Sequence, residues 1–214
     1  MSAKRHQIGI IAVAEGIPLK VIDRFCAYIQ QSKPSVGYTV KICMAAKQGV
    51  FYKTRYLNEA LKELIPICET IIQTDIDLII PPGLIDEAYK RVNTEKGNCY
   101  HHVLRYIKPE VIAGLEYNDF PFDEWLKLER RYNSGCFNCM TSETWQKSGG
   151  YHPDMCDWGN EDSWFRKKCQ ALGIRYTHNV DFPLVHINHP PRTPKNCGHN
   201  IGVVKRDDYL SNWL

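Results

Sequence analysis

Glu69-Thr-Ile-Ile-Gln-Thr-Asp75-Ile-Asp77-Leu-Ile-Ile-Pro-Pro-Gly83 opens on one acid, carries two more carboxylates within its apolar run and stops at a Pro-Pro-Gly turn. Its apolar residues are β-branched and too few for a helix of ordinary length, so it reads as one buried strand running to Pro81. Buried acids are costly unless they are paired, hydrogen-bonded or bound to a metal. In an extended segment residues two apart share a face, so Asp75 and Asp77 are expected to reach one point beyond the strand's carboxyl end. Open α/β sheets bind ligands there. Carboxylate oxygens suit Mn2+ or Mg2+. The simpler alternative is a carboxylate that caps the turn while the other is solvated.

Upstream of this run the pattern alternates. Ile8 to Ala14 is a short apolar strand broken by Gly16-Ile17-Pro18. Leu19, Ile22, Phe25, Cys26 and Ile29 then recur at helical spacing. A second strand is expected over Tyr38 to Ala45, and a second helix over Lys53 to Leu64, stopped near Pro66. A β-α-β opening of this kind implies an α/β sheet. Downstream the reading is poorer. Loops are expected from Asn93 to Asn133 around a strand at Val111 to Glu116, with Tyr100-His101-His102 and Trp125 shaping a cleft, structural packing being the equal alternative for each aromatic. A short helix over Ser142 to Lys147 should stop at Gly149-Gly150, and a longer one should run from Glu161 to Leu172 with Gly173 as its stop. Strands are expected at Ile174 to Val180 and Phe182 to Asn188. From Pro190 the chain reads as a tail that wraps the domain or orders on binding.

Composition narrows the function. The chain has 214 residues, 43% hydrophobic and 24% charged, which fits one globular domain. A net charge of +3 is too small for a general grip on nucleic acid. No apolar run approaches the roughly 20 residues of a membrane-spanning helix, and no signal peptide is seen, so a cytoplasmic protein is expected. Nine cysteines, an odd number without a regular framework, read as reduced thiols. Cys136 and Cys139 form a lone CxxC, too few ligands for a structural zinc site.

Two more clusters carry possible chemistry. Trp158-Gly159-Asn160-Glu161-Asp162 stands where a helix begins. Acids in a first turn are ordinary partners of the helix dipole. Beside Trp158, Trp164 and Tyr151, however, paired acids also suit a sugar ring, and one of them could take a proton from an attacking hydroxyl. His186-Ile187-Asn188-His189 closes the last strand with two imidazoles that could turn toward one cation.

In order, these clusters resemble the metal-dependent glycosyltransferases of GT-A fold, most closely the β-1,4-galactosyltransferase-like group and its bacterial polysaccharide-synthase relatives. The resemblance spans about Ile8 to Pro191. It implies a single GT-A (Rossmann-like) α/β domain over residues 1–214, with a mixed, mostly parallel central sheet flanked by helices. The nucleotide-sugar half would cover about 1–92, the acceptor-binding half about 93–191 and the tail 192–214. Gln48-Gly-Val-Phe51-Tyr-Lys53-Thr-Arg55-Tyr-Leu-Asn58 resembles the family's donor-pocket block, with Lys53 in place of its Arg. The resemblance implies that Gln48, Lys53, Arg55, Asn58, Asp75 and Asp77 bind the donor. It makes Asp77, His189 and His186 the metal ligands, His186 replacing a Met. Ser134-Gly135, Tyr151 and Trp158-Gly159 fall on acceptor-binding positions, with Asp162 as general base and Glu161 beside it. Ser163 stands where the family often has a second Asp. The implied partners are a UDP-sugar, a carbohydrate or glycoconjugate acceptor and Mn2+, with Mg2+ a substitute. Association with a membrane surface or with other enzymes is left open. Two other functions compete: a metal-dependent phosphoester hydrolase, for which the first strand offers only Glu15, and a non-catalytic sugar-binding module, which has no need of a base.

Overall fold

The computed structural model describes residues 6–45, 52–130, 135–156 and 159–187, together with Asn200 and Val203. Strand β1 (His6–Glu15) lies parallel between β2 (Tyr38–Ala45) and β3 (Cys68–Thr74). β3 then pairs antiparallel with β7 (Phe137–Thr141), which pairs antiparallel with β5 (Asn98–His102). β8 (Arg175–Asn179) closes the row beside β5, so the six-stranded order is β2-β1-β3-β7-β5-β8 and only β7 runs against the rest. The expected mixed, mostly parallel sheet is present.

Both faces of this sheet are covered, as its apolar strands require. On one face Ile8, Ile10, Ala12 and Ala14 pack with Ile22, Phe25 and Ile29 of α1 (Leu19–Gln31). Leu84, Ile85, Ala88 and Val92 of α3 (Leu84–Thr94) join them. On the other face Ile11 packs with Leu57, Leu61 and Leu64 of α2 (Lys53–Leu64). Trp145 of α6 (Ser142–Ser148) and Phe165 of α7 (Glu161–Ala171) complete that cluster. The Trp145 indole N–H donates to the Ile71 carbonyl at 2.9 Å, which pins α6 to β3. The eight described cysteines are free, and Cys136 and Cys139 lie in the first cluster. Among the described residues no helix is long and apolar enough to cross a membrane.

The stretch that carries the two acids is not one strand. β3 ends at Thr74, residues 76–77 form a turn, and Leu78–Ile79 is a separate strand, β4. The break comes from a change of partner. The Asp75 amide donates to the Cys136 carbonyl at 2.9 Å, whereas β4 pairs with β9 (Val185–Ile187) in a second sheet ordered β4-β9-β6. β6 (Arg105–Ile107) lies parallel to β9, and α5 (Phe122–Leu126) packs nearby through an aromatic cluster.

Three more expectations are corrected. Val111 to Glu116 is not a strand: Pro109, at the first helical position, opens α4 (Pro109–Ile112), and Gly114 at φ 80° turns the chain. Tyr100, His101 and His102 line no cleft; they form the buried β5, and burial pushes the two imidazoles down to about 4 and about 3. Trp125 is 3% exposed, packed on Phe120 and Phe122. Of the expected tail, Asn200 and Val203 are described, and both are buried.

Gly9 marks how closely α2 approaches β1. A Cβ there would stand 2.9 Å from Cys68 Sγ and 3.1 Å from Leu64 Cδ1. Gly9→Ala is expected to destabilise the fold by about 1–3 kcal/mol through overpacking, read as a lower Tm in thermal denaturation. An unchanged Tm would contradict this packing.

Candidate active site

The described site lies at the carboxyl ends of the parallel strands and is assembled around one cation. Lys53, in the first turn of α2, places Nζ 3.0 Å from Asp75 Oδ1 and 3.6 Å from Glu161 Oε1. Asp75 comes from the end of β3 and Glu161 from the start of α7. Burial works to lower the Lys53 pKa, but Asp75, Asp162 and Glu161 together hold the ammonium well above its usual range. This lysine is therefore a fixed positive charge.

Asp162 follows Glu161 and has the most unusual surroundings. Its carboxylate lies where Gly135 lacks a side chain: a Cβ on Gly135 would fall 1.6 Å from Asp162 Cγ and within 2.0 Å of both oxygens. Burial pushes this carboxyl up to about 7; Lys53 pulls it down, while Glu161 and Asp75 push it further up. Asp162 Oδ1 and Glu161 Oε2 are both sealed from solvent, with no hydrogen-bond partner among the described residues. Sealed acceptor atoms without donors suit a ligand that brings its own hydroxyls.

A buried network that the sequence reading did not single out holds Gly135 in place. Gln73 Nε2 donates to the Gly135 carbonyl at 3.1 Å. Gln73 Oε1 accepts from Asn138 Nδ2 at 2.8 Å and from the Tyr151 hydroxyl at 2.9 Å. A signal was available, since Gln73 is a lone amide inside an apolar strand.

Asp77 faces elsewhere. Its Oδ2 is 3.4 Å from His186 Nε2, and the His186 ring packs on Tyr106 with centroids 4.9 Å apart. The β4–β9 register, which sets Leu78 opposite His186, brings the two side chains together. Among the described residues no group of three His, Cys, Asp or Glu side chains is placed to hold a metal ion. The Asp77–His186 pair nevertheless fits part of a cation site, because an oxygen and a nitrogen donor this close match neighbouring ligands about 2.0–2.2 Å from one ion. The second expected histidine, His189, lies outside the described residues, as do Gln48, Ser134 and Trp158.

Other expected site residues act through the backbone. Asn58 Nδ2 donates to the Tyr151 carbonyl, and its Oδ1 accepts the Tyr151 amide, both at 2.8 Å. Gly150, left-handed at φ 70°, makes room for this clamp. Arg55 Nε donates to the Pro153 carbonyl at 3.0 Å, and its guanidinium covers the Tyr52 ring. Tyr151 does not offer a face to a sugar: its ring is 2% exposed and stacked on Phe165 at 4.3 Å. Gly159 has φ 101° and sits just before the start of α7.

This architecture matches solved structures. The catalytic domain of Drosophila β1,4-galactosyltransferase 7 in complex with xylobiose aligns with TM-score 0.65 at 13% identity, over 94% of this chain and 79% of that one. A mutant of the Drosophila enzyme in complex with manganese, UDP-Gal and xylobiose aligns with TM-score 0.64 at 12% identity, over 93% and 79%. The chain has the GT-A fold. GalNAc-T7 with UDP, GalNAc and Mn2+ gives TM-score 0.65 at 12% identity, over 97% of this chain but 50% of that longer one. No family model and no curated protein sequence matches the chain. At such identities the likeness establishes the GT-A fold, and the chemistry has to be argued from the residues.

The raised Asp162 carboxyl has a consequence for stability. It is neutral in the fold up to pH about 7, against an ordinary value of 3.8, so the folded state holds the extra proton between these limits. Its contribution to stability is greatest below the ordinary value and is lost as pH rises through about 7. Asp162→Asn, which imitates the neutral acid, should therefore raise Tm at pH 8 by on the order of 5 °C. The gain should vanish near pH 4, as followed by calorimetry across pH; equal Tm values at pH 8 would refute the burial of this charge.

Proposed function

We propose that the protein is a metal-dependent glycosyltransferase that moves a hexose-type sugar from a UDP-sugar to an acceptor hydroxyl with inversion. The observation that carries this reading is the Asp162 carboxylate, lodged against Gly135, with its Oδ1 sealed from solvent without a described donor and its pKa raised to about 7. A base with a pKa near the working pH is the one best matched to taking a proton from a sugar hydroxyl. The GT-A fold, and neighbours solved with Mn2+, UDP-Gal, UDP and xylobiose, support the donor and acceptor classes.

In this reading Asp162 accepts the proton of the attacking hydroxyl at a carboxylate oxygen while the acceptor approaches the anomeric carbon opposite the leaving UDP. Single displacement inverts that carbon. Glu161, one oxygen held toward Lys53 and the other without a described donor, orients sugar hydroxyls. Lys53 and Asp75 face the donor, joined by Gln48. Arg55 and Asn58 shape its pocket by holding the backbone at 151–153. Gly135 leaves space for the base, and Ser134, Trp158 and Gly159 border the acceptor. Asp77 and His186, with His189, would hold Mn2+, or Mg2+ in its place. When bound, that ion supplies positive charge against the departing diphosphate.

Transfer measured over a panel of UDP-sugars and carbohydrate acceptors, with and without Mn2+, tests this reading. The wild type should transfer only with metal, and kcat should rise with pH through about 7 and then level as Asp162 ionises. Asp162→Asn should lose about 10²–10⁴ in kcat while UDP binding persists. Normal turnover by Asp162→Asn, or donor cleavage indifferent to acceptor, would sink the assignment.

A further inference from the structure

We propose that Asn200 is a positioning residue for Asp162; this rests on the reading of Asp162 as the base. Asn200 is 1% exposed. Its Oδ1 accepts the Cys156 amide at 3.1 Å, and its Nδ2 donates to the Gly159 carbonyl at 2.7 Å. Those two groups stand on either side of Asp157-Trp158 in the sequence. One amide from 41 and 44 residues downstream thus fixes both ends of the segment that leads into α7.

That segment needs an external hold. Gly159 and Asn160 are both left-handed, at φ 101° and φ 68°. Asn160 is one of only two described residues other than glycine at positive φ. Asn160 is the N-cap of α7 yet makes no side-chain capping bond. Farther along, α7 is fixed by Phe165 stacked on Tyr151 and by Lys168 Nζ donating to the Gly150 carbonyl at 3.0 Å. Its first turn, which carries Glu161 and Asp162, follows directly from the segment that Asn200 clamps. The tolerance there is small, because the Asp162 carboxylate fills the space of the missing Gly135 Cβ. Val203, 3% exposed in the second core cluster, anchors the chain just beyond Asn200. An unclamped start to α7 would let the carboxylate drift by tenths of an ångström, and a misplacement near 1 Å costs about 10²-fold in rate.

The test compares Asn200→Ala and Asn200→Asp with the wild type. The Asp variant keeps the acceptor for Cys156 but sets a carboxylate oxygen against the Gly159 carbonyl. Expected are a kcat lower by about 10-fold to 10²-fold with the KM for UDP-sugar and the Kd for UDP changed less than about threefold, faster hydrogen exchange confined to residues 156–164, and an Asp162 carboxyl that titrates closer to an ordinary aspartate by carbon NMR. A merely structural Asn200 would lower Tm and the active fraction while leaving kcat per active site and the Asp162 titration unchanged, and that result overturns the proposal. If the wild type transfers no sugar from any donor, the functional reading fails separately. The exchange and titration measurements then still decide whether Asn200 positions Asp162.

Discussion

Three carboxylates gathered at one edge of a sheet cannot all stay charged without a cation, and among the described residues Lys53 is the cation set beside them. Desolvating each ion costs several kcal/mol, so the cluster is tenable only because one ammonium is shared among groups from β3 and α7. The geometry of the whole edge follows. α2 must begin where Nζ can reach Asp75, and the Asn58 and Arg55 bonds to the 151–153 backbone keep that helix beside the loop leading toward α7. Asp162, the acid least well compensated, is left with a raised proton affinity. A structural requirement for charge balance and a chemical requirement for a base are thus met by the same arrangement.

The turn at residues 76–77 performs the second division of labour. Because the chain leaves the six-stranded sheet there and joins the three-stranded one, adjacent acids are delivered to different partners, Asp75 to Lys53 and Asp77 to His186. An uninterrupted strand would have aimed both at one point. Separation lets one carboxylate belong to an internal ion pair while the other stays with an imidazole suited to a cation.

Much of this was legible in the residues where the forces are local. Ile8 to Ala14, Tyr38 to Ala45 and Lys53 to Leu64 carry their strand or helix in their own periodicity, and the structure reproduces them within a residue or two. The break after Thr74 was not legible, because it depends on Cys136 and on β9, both far away in sequence. β5 was hidden for another reason: His101 and His102 look like loop residues until the surrounding strands bury them. At the site, Asp75, Asp77, Glu161 and Asp162 announced themselves as acids in unlikely places. Tyr151 misled, since an aromatic ring near acids is compatible with either a sugar platform or a core. Asn200 carried no local signal at all.

The Gln73 amide bonds Gly135, 62 residues away, and accepts from the Tyr151 hydroxyl 78 residues away; the Asn58 clamp spans 93. Such contacts form late, since each closes a long loop before it is rewarded. During synthesis the first three parallel strands can pair while the pocket is still without its floor. The reversed strand β7 has to be inserted beside β3 before the acids of α7 have a place to dock. Until then β3 has an open edge, and Lys53 has Asp75 beside it but not yet the acids of α7. The pocket can therefore close around Asp162 only once the downstream half of the chain has joined the sheet.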